Sequence, residues 1–294
     1  MLVTLKDVLA VAEKNDSAIG AFNTPNLESI MAVIKAAEEL DEAVIIMHAH
    51  VHEDLMPLSV IGPIMVDMAK KSSVPVCVHL DHGQDLDYLK LALEIGFTSV
   101  MYDGSALPYE ENAKNTCLAV KMAKKYEASV EAEIGTLGKR ETGAVDDGDD
   151  TDHEIQVYTN PDMAKRFVEE TGIDALACSF GTAHGLYLKK PKLDMSVLED
   201  VREKIALPIV MHGGSGVSDS EFKRTIKRGV RKVNYYTYMA KKGGQIVSAN
   251  MDKEKDNIIY FHDIVAWGVE SMKEDVKSAI KVFSNKVREE RYSV

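Results

Sequence analysis

The 294-residue sequence predicts an α/β fold, a closed (β/α)8 barrel with extra helices at its N-terminal and C-terminal ends. Three observations lead there. Short apolar runs rich in valine and isoleucine alternate with segments of helical periodicity, and eight such runs occur. Their near-continuous hydrophobicity is that of strands buried on both faces, as in parallel sheets. No linker or low-complexity stretch divides the chain, and a chain 45% hydrophobic can fill one large core. One domain is expected over residues 1–294, with a helical extension from about 257 to 294.

Thr4 is placed to cap a helix through about Lys14, with Leu5, Val8, Leu9 and Ala12 on one face. Residues 18–23 form the first strand, ending in Asn23, and Asn26 opens a helix with Ile30, Val33, Ile34, Ala37 and Leu40 at helical spacing. The second strand, 43–47, runs into His48-Ala49-His50-Val51-His52, and 59–71 is helical. The third strand starts at Val74 and ends in His79-Leu80-Asp81-His82-Gly83. A helix over 86–95 stops at Gly96, a usual C-terminal punctuation. The fourth strand, 97–102, and a helix over 109–125 follow, then the fifth strand, 128–133, with Glu131 and Glu133 at its end. Residues 135–158 are rich in Gly, Asp and Glu without periodicity, a long loop of the kind that serves as a lid or site element. Asn160-Pro161 starts a helix, with proline at a tolerated first position. Strands six, seven and eight fall at 173–178, 207–211 and 230–233, with helices over 194–204 and 219–228. Two helical segments close the chain, about 238–250 and 264–286.

The net charge of −12 and the lack of a basic stripe argue against nucleic acid or an anionic membrane as partner. Three scattered cysteines, Cys77, Cys117 and Cys178, suggest a reducing compartment without a disulfide framework. With no secretory leader pattern at Met1 and no apolar run of bilayer length, a cytoplasmic location is expected.

Chemistry is concentrated at the strand ends, which in a barrel face one mouth. Strands three, six and seven present His82, His184 and His212. Three neutral imidazoles with an open fourth position make a catalytic zinc site, whose metal polarises a carbonyl. Gly213-Gly214-Ser215-Gly216 precedes a helix, and Gly181, Gly185, Asn234 and Thr237 converge on the same side. Backbone N–H groups bared by glycines, a hydroxyl and the loops after the last two strands together form a phosphate cradle.

The motifs Ala21-Phe22-Asn23-Thr24, His79-Leu80-Asp81-His82-Gly83, Glu131-Ala132-Glu133-Ile134-Gly135, Gly181-Thr182-Ala183-His184-Gly185, His212-Gly213-Gly214-Ser215-Gly216 and Lys232-Val233-Asn234 occur in order. Together they resemble the class II, metal-dependent ketose-bisphosphate aldolases, TIM barrels that include fructose- and tagatose-bisphosphate aldolases. The resemblance runs from about residue 1 to 240 and weakens beyond. It implies a zinc-dependent aldol cleavage and condensation of dihydroxyacetone phosphate with an aldehyde through an enediolate. It implies His82, His184 and His212 as zinc ligands, Glu133 as a further carboxylate at the metal, and Asp81 as the acid/base at the hydroxyl of the bond being cleaved. Asn23, Gly181, Gly185, Gly213, Ser215, Asn234 and Thr237 match the groups that hold the substrate, its phosphate and a monovalent cation, Na+ or K+. Glu141 aligns with a mobile glutamate that takes the proton from the dihydroxyacetone phosphate carbon. A homodimer or homotetramer is implied as well.

Three departures concern the aldehyde half of the substrate. Where relatives carry a glutamine and a small hydroxyl residue, Met47-His48-Ala49-His50 stands here. His48, His50 and His52 alternate, so one extended face would show all three, to bind a distal substrate group, to add metal affinity, or as partly exposed structural histidines. Tyr236 puts a phenol beside Thr237, where it narrows the phosphate pocket, replaces a polar contact or points into packing. Lys286, Arg288 and Arg291 are the candidates to meet a distal phosphate from a neighbouring subunit. Two other readings are an amidohydrolase-like metal hydrolase, suggested by His48-Ala49-His50, and a non-catalytic barrel that binds sugar phosphates.

Overall fold

The computed structural model describes residues 1–135, 158–182 and 191–285. Among these residues nine parallel strands form one sheet. β1 (Leu2–Val3) is followed by β2 (Ile19–Asn23), β3 (Val44–Ala49), β4 (Val76–Gly83), β5 (Ser99–Tyr102), β6 (Ser129–Ile134), β7 (Ala175–Cys178), β8 (Ile209–Met211) and β9 (Val230–Tyr235). The order β4-β3-β2-β9-β8-β7-β6-β5, with β4 also pairing β5, closes β2 to β9 into an eight-stranded barrel. The two-residue β1 was not expected from sequence. It pairs below the start of the β4–β5 seam, Leu2 opposite Val76 and Val3 opposite Cys77.

The helices are α1 (Leu5–Lys14), α2 (Leu27–Leu40), α3 (Leu58–Lys71), α4 (Leu86–Ile95), α5 (Tyr109–Ala123), α6 (Pro161–Thr171), α7 (Met195–Lys204), α8 (Asp219–Ile226), α9 (Thr237–Lys253) and α10 (Phe261–Phe283). Thr4 caps α1 in a capping box: its Oγ1 accepts from the Asp7 N–H at 3.2 Å, and the Thr4 N–H donates to Asp7 Oδ2 at 2.9 Å. Asn26 and Ser29 do the same for α2, and Asn160 caps α6 with Pro161 as its first residue. Gly96 ends α4 in the left-handed conformation. α10, expected as part of a terminal extension, packs against α2 and α8 and so completes the helical ring. Its Phe283 meets Phe222 and Tyr235 edge-on.

The pleat sorts the side chains. Val44, Ile46, Val76, Val78, Leu80, Val130, Ala132, Leu176, Ile209 and Val233 point outward into the layer beneath the helices. The alternate residues Ala21, Ile45, Met47, Cys77, Ala175, Ala177 and Val210 point into the lumen, where Leu5, Val8, Leu9 and Ala12 of α1 cover them from below. The apolar face of α1 is therefore the floor of the barrel. Each of its two leucines, once buried, contributes about 1.5–3 kcal/mol.

Candidate active site

The upper lumen follows the same alternation with opposite chemistry. His79 and Asp81 of β4, Glu131 and Glu133 of β6, and Lys232 and Asn234 of β9 are buried polar residues two apart on one face. His82 breaks the pattern. A regular strand would turn it outward, next to inward-facing Asp81. Pairing between β4 and β5 slips between Leu80 and Gly83, so that three steps on β4 match two on β5, and His82 has φ of 49°. This bulge brings His82 to the mouth beside Asp81. Left-handed backbone at a non-glycine residue carries strain, which concentrates at functional sites. The following Gly83 is required: a Cβ there would lie 2.3 Å from Leu89 Cδ1 and 2.9 Å from the Met101 carbonyl oxygen.

Asp81 is held from both sides. Its Oδ2 accepts from Asn23 Nδ2 at 3.0 Å and its Oδ1 from Asn234 Nδ2 at 3.1 Å. Burial alone would raise its pKa, but His82, His212 and Lys232 nearby hold the carboxyl well below the usual range. It is an anion with both oxygens aimed. Asn23 and Asn234, expected near the substrate, thus contact the expected acid/base directly.

His82 and His212 face each other, His82 Nε2 and His212 Nδ1 lying 2.9 Å apart. Behind each ring stands a carboxylate: Asp103 Oδ2 is 2.7 Å from His82 Nδ1, and Glu131 Oε1 is 2.8 Å from His212 Nε2. A carboxylate accepts only, so the rear nitrogens carry the protons and the two front nitrogens present lone pairs to one another. Two lone pairs at that distance need a cation or a proton between them. Burial opposes a charge on His82, yet Asp81 and the Asp103 hydrogen bond push its pKa up to about 10. Burial lowers that of His212. Glu133 Oε2 lies 3.9 Å from His212 Nδ1. Burial, and then the charge of Asp103, raises the Glu133 pKa well above the ordinary carboxylate value.

The donor atoms of Asp81, His82 and His212 all lie within 4.8 Å of one another, as do those of His82, Asp103 and Glu133. Imidazoles with fixed tautomers and a carboxylate fit a divalent cation of the zinc type. The expected ligand His184, its neighbour Gly185, the expected base Glu141, and Lys286, Arg288 and Arg291 lie outside the described residues.

Gly181 follows β7 with φ of 113°, and a Cβ there would meet the Lys192 carbonyl oxygen at 2.2 Å. Gly213 has φ of 66°, and the Gly214 N–H donates to the Asn234 carbonyl at 3.1 Å, which seats the glycine turn against the end of β9. Buried Ser215 accepts from the Tyr236 N–H at 3.3 Å, and Thr237 is the first residue of α9. The expected phosphate residues Gly213, Ser215, Asn234 and Thr237 are therefore gathered at a turn and a helix N-terminus, a natural anion cradle.

The three alternating histidines do not share an extended face. His48 ends up buried on the outward side of β3 with its Nε2 3.0 Å from the Tyr88 hydroxyl, which donates to Glu53 at 2.6 Å. His50–His52 is a 3-10 turn. It stacks His50 on Tyr88 at 4.0 Å between ring centres, and places His52 edge-on to Tyr236 at 5.3 Å. Burial lowers the pKa of His48 to about 4, so this imidazole is neutral. Sequence reasoning did not assign Asp103, Glu131, Lys232 or His79 to the site. The signal was present in the last three, charged or imidazole groups inside strands that read as fully buried.

A parallel barrel with an aimed carboxylate and two opposed imidazoles at its C-terminal mouth has the groups of an enzyme that moves protons. The chain belongs to the class II fructose-bisphosphate aldolase family, whose model, "Fructose-bisphosphate aldolase class-II", matches residues 3–288. It is accordingly an aldolase, a carbon–carbon lyase. The chain is 39% identical over 236 residues to the D-tagatose-1,6-bisphosphate aldolase subunit GatY of Klebsiella oxytoca, covering 80% of this chain and 81% of that protein. It is 35% identical to the 6-phospho-5-dehydro-2-deoxy-D-gluconate aldolase of Halalkalibacterium halodurans, over 98% of this chain and 99% of that one. Among solved structures, the YdjI aldolase of Escherichia coli K12 superposes with a TM-score of 0.83 at 33% identity, covering 96% of this chain and 97% of its own. The family read from the motifs and the barrel read from the strand rhythm are both shown. Among the described residues no helix is long and apolar enough to cross a membrane.

Proposed function

We propose that the protein makes and cleaves the bond between dihydroxyacetone phosphate and an aldehyde, with a zinc ion held by His82, His184 and His212 and with Glu133 beside it. The observation that carries this reading is the pair of front nitrogens, 2.9 Å apart and each backed by a carboxylate, next to an anionic Asp81. A divalent metal bound there supplies Lewis-acid polarisation of the ketone carbonyl. In cleavage Asp81 takes the proton of the hydroxyl on the carbon that becomes the aldehyde, and in condensation it gives that proton back. Asn23 and Asn234 keep its two oxygens in line for the transfer. Gly181, Gly185, Gly213, Ser215, Asn234 and Thr237 bind the phosphate with a monovalent cation, Na+ or K+. Glu141 takes the proton from the dihydroxyacetone phosphate carbon.

His50 and Tyr236 border the aldehyde end, and buried His48 supports that border through Tyr88. The two relatives named above act, by their names, on a bisphosphate and on a phosphorylated sugar acid. The aldehyde of this enzyme therefore carries a phosphate, a carboxylate or neither. The protein works as a cytoplasmic homodimer or homotetramer.

The test is a condensation screen: dihydroxyacetone phosphate with aldehydes of each of these three kinds, with and without chelator. The expected result is a ketose phosphate from one kind, lost with chelator and restored by zinc. Full turnover in chelator removes the metal from the reading, and no product with any aldehyde removes the dihydroxyacetone phosphate half.

A further inference from the structure

The metal reading leaves two buried charges in the lumen without a role. Glu131 and Lys232 are both fully buried, with Lys232 Nζ 2.9 Å from Glu131 Oε2. They sit on β6 and β9, which are separated around the barrel by β7 and β8. The ion pair therefore crosses the lumen. The inward residues of β7, Ala175 and Ala177, are small enough to let the lysine stem pass. A buried ion pair is a poor way to stabilise a fold, because removing two charges from water costs about as much as their attraction returns. Its presence directly beneath the mouth asks for another reason.

The reason lies in the other carboxylate oxygen. Glu131 Oε1 is 2.8 Å from His212 Nε2, while Oε2 takes Lys232 and lies 3.7 Å from His79 Nε2. His79 is fixed in turn by Ser99 Oγ at 2.7 Å from its Nδ1. Each oxygen has a fixed neighbour, so the carboxylate cannot rotate away from His212. We propose that the Lys232–Glu131 pair is a positioning device that holds His212 in its Nε2–H tautomer and delivers Nδ1 to the cation site. Neither residue touches the reacting atoms. Asp103 does the equivalent for His82 from the rim, with an oxygen 2.7 Å from Nδ1. The difference is depth. Asp103 is partly exposed and solvated, whereas Glu131 is sealed in and needs Lys232 as its counter-ion.

This proposal rests on His212 being a ligand, so its test separates the two ideas. Two variants are compared with the wild type, Glu131→Gln and the double variant Glu131→Gln/Lys232→Met. The double variant removes both charges together and so avoids an orphaned buried ammonium. A glutamine amide both donates and accepts, so it no longer dictates which imidazole nitrogen is protonated. The first readout is the His212 tautomer in metal-free protein, from two-bond proton–nitrogen correlations of 15N-histidine-labelled samples. The second is zinc affinity by competition with a chromophoric chelator. The expected result is an Nε2–H tautomer in the wild type, loss of that single tautomer in both variants, and zinc binding weaker by about 10–100-fold.

A wild-type His212 protonated on Nδ1 overturns the proposal. So does an affinity loss with the tautomer unchanged, which marks a merely structural effect, and so does a changed tautomer with affinity within about twofold. If the wild type binds no zinc, the metal reading falls and the tautomer comparison alone decides. If the double variant does not fold, the wild-type tautomer and the single variant still decide.

Discussion

The floor and the mouth of this barrel are made by the same eight strands with the same alternation of side chains, yet they have opposite chemistry. At the floor the inward residues are Ile19, Ile45, Cys77, Ala175 and Val210, sealed by Leu5, Val8, Leu9 and Ala12. Further along β4, beyond the end of β8, and on β6 and β9 stand Asp81, His212, Glu133 and Asn234, equally buried. His79, Ser99, Glu131 and Lys232 form the layer between the two. The lower layer stabilises because it removes apolar surface from water and asks for no hydrogen bonds. The upper layer is tolerated because each charge is matched, Asp81 by two amides, His82 and His212 by two carboxylates, Glu131 by Lys232. Stability and reactivity are thus separated along the barrel axis and not by region of sequence.

That separation can be attacked at either end. The largest effect is expected at the mouth: Asp81→Asn should lower turnover per folded molecule by about 10²–10⁴-fold, the range for loss of a positioned acid/base. Turnover within a few-fold of wild type would leave Asp81 without its role. Next is the floor. Leu9→Ala should cost about 2–5 kcal/mol in urea unfolding while turnover per folded molecule and zinc content stay as they were. A floor variant that lost turnover as Asp81→Asn does would break the comparison.

Gly83→Ala sharpens it, since the added methyl meets Leu89 and the Met101 carbonyl just after the bulge. It should destabilise by about 1–3 kcal/mol and also weaken zinc binding, because relief of the clash moves His82. The smallest effect belongs to the layer between. Burial, and then the charge of Lys232, lowers the pKa of His79 from 6.5 to about 3. As pH falls below 6.5 the unfolded chain takes up a proton at this residue and the folded chain does not. The stabilisation from neutral His79 is complete above pH 6.5 and declines toward pH 3, by up to about 1.4 kcal/mol per pH unit. His79→Asn should remove that part of the slope between unfolding curves at pH 7 and pH 5.

Much of this was legible before the structure. The strand rhythm identified the barrel, Thr4, Asn26 and Asn160 marked helix starts, and Gly96 marked a stop, because these are local effects of period and capping. Asp81, His82 and His212 were legible as polar groups at strand ends, and the structure brings them together. What stayed hidden depends on closure or on local backbone. Lys232 meets Glu131 only because the sheet curls until β9 faces β6, and no spacing in the chain encodes that distance. Asp103 was seen only as the end of the fourth strand, because its partner His82 is set by a bulge. The spacing of His48, His50 and His52 suggested one extended face, but the chain turns into a 3-10 helix at His50 and sends the rings to different neighbours.

The bulge at His82 has a consequence for anyone who would rebuild this scaffold. Adjacent positions 81 and 82 serve one centre only while β4 carries its extra step against β5. Ironing that ladder into a regular one would leave the sequence of the acid and the imidazole untouched and send the second of them out among the helices. Exchanging the two residues, with composition and length preserved, would set the imidazole between the two asparagines and the carboxylate on the kink. The order of two letters, read through one irregular hydrogen-bond ladder, decides which group rests between the two amides and which faces His212.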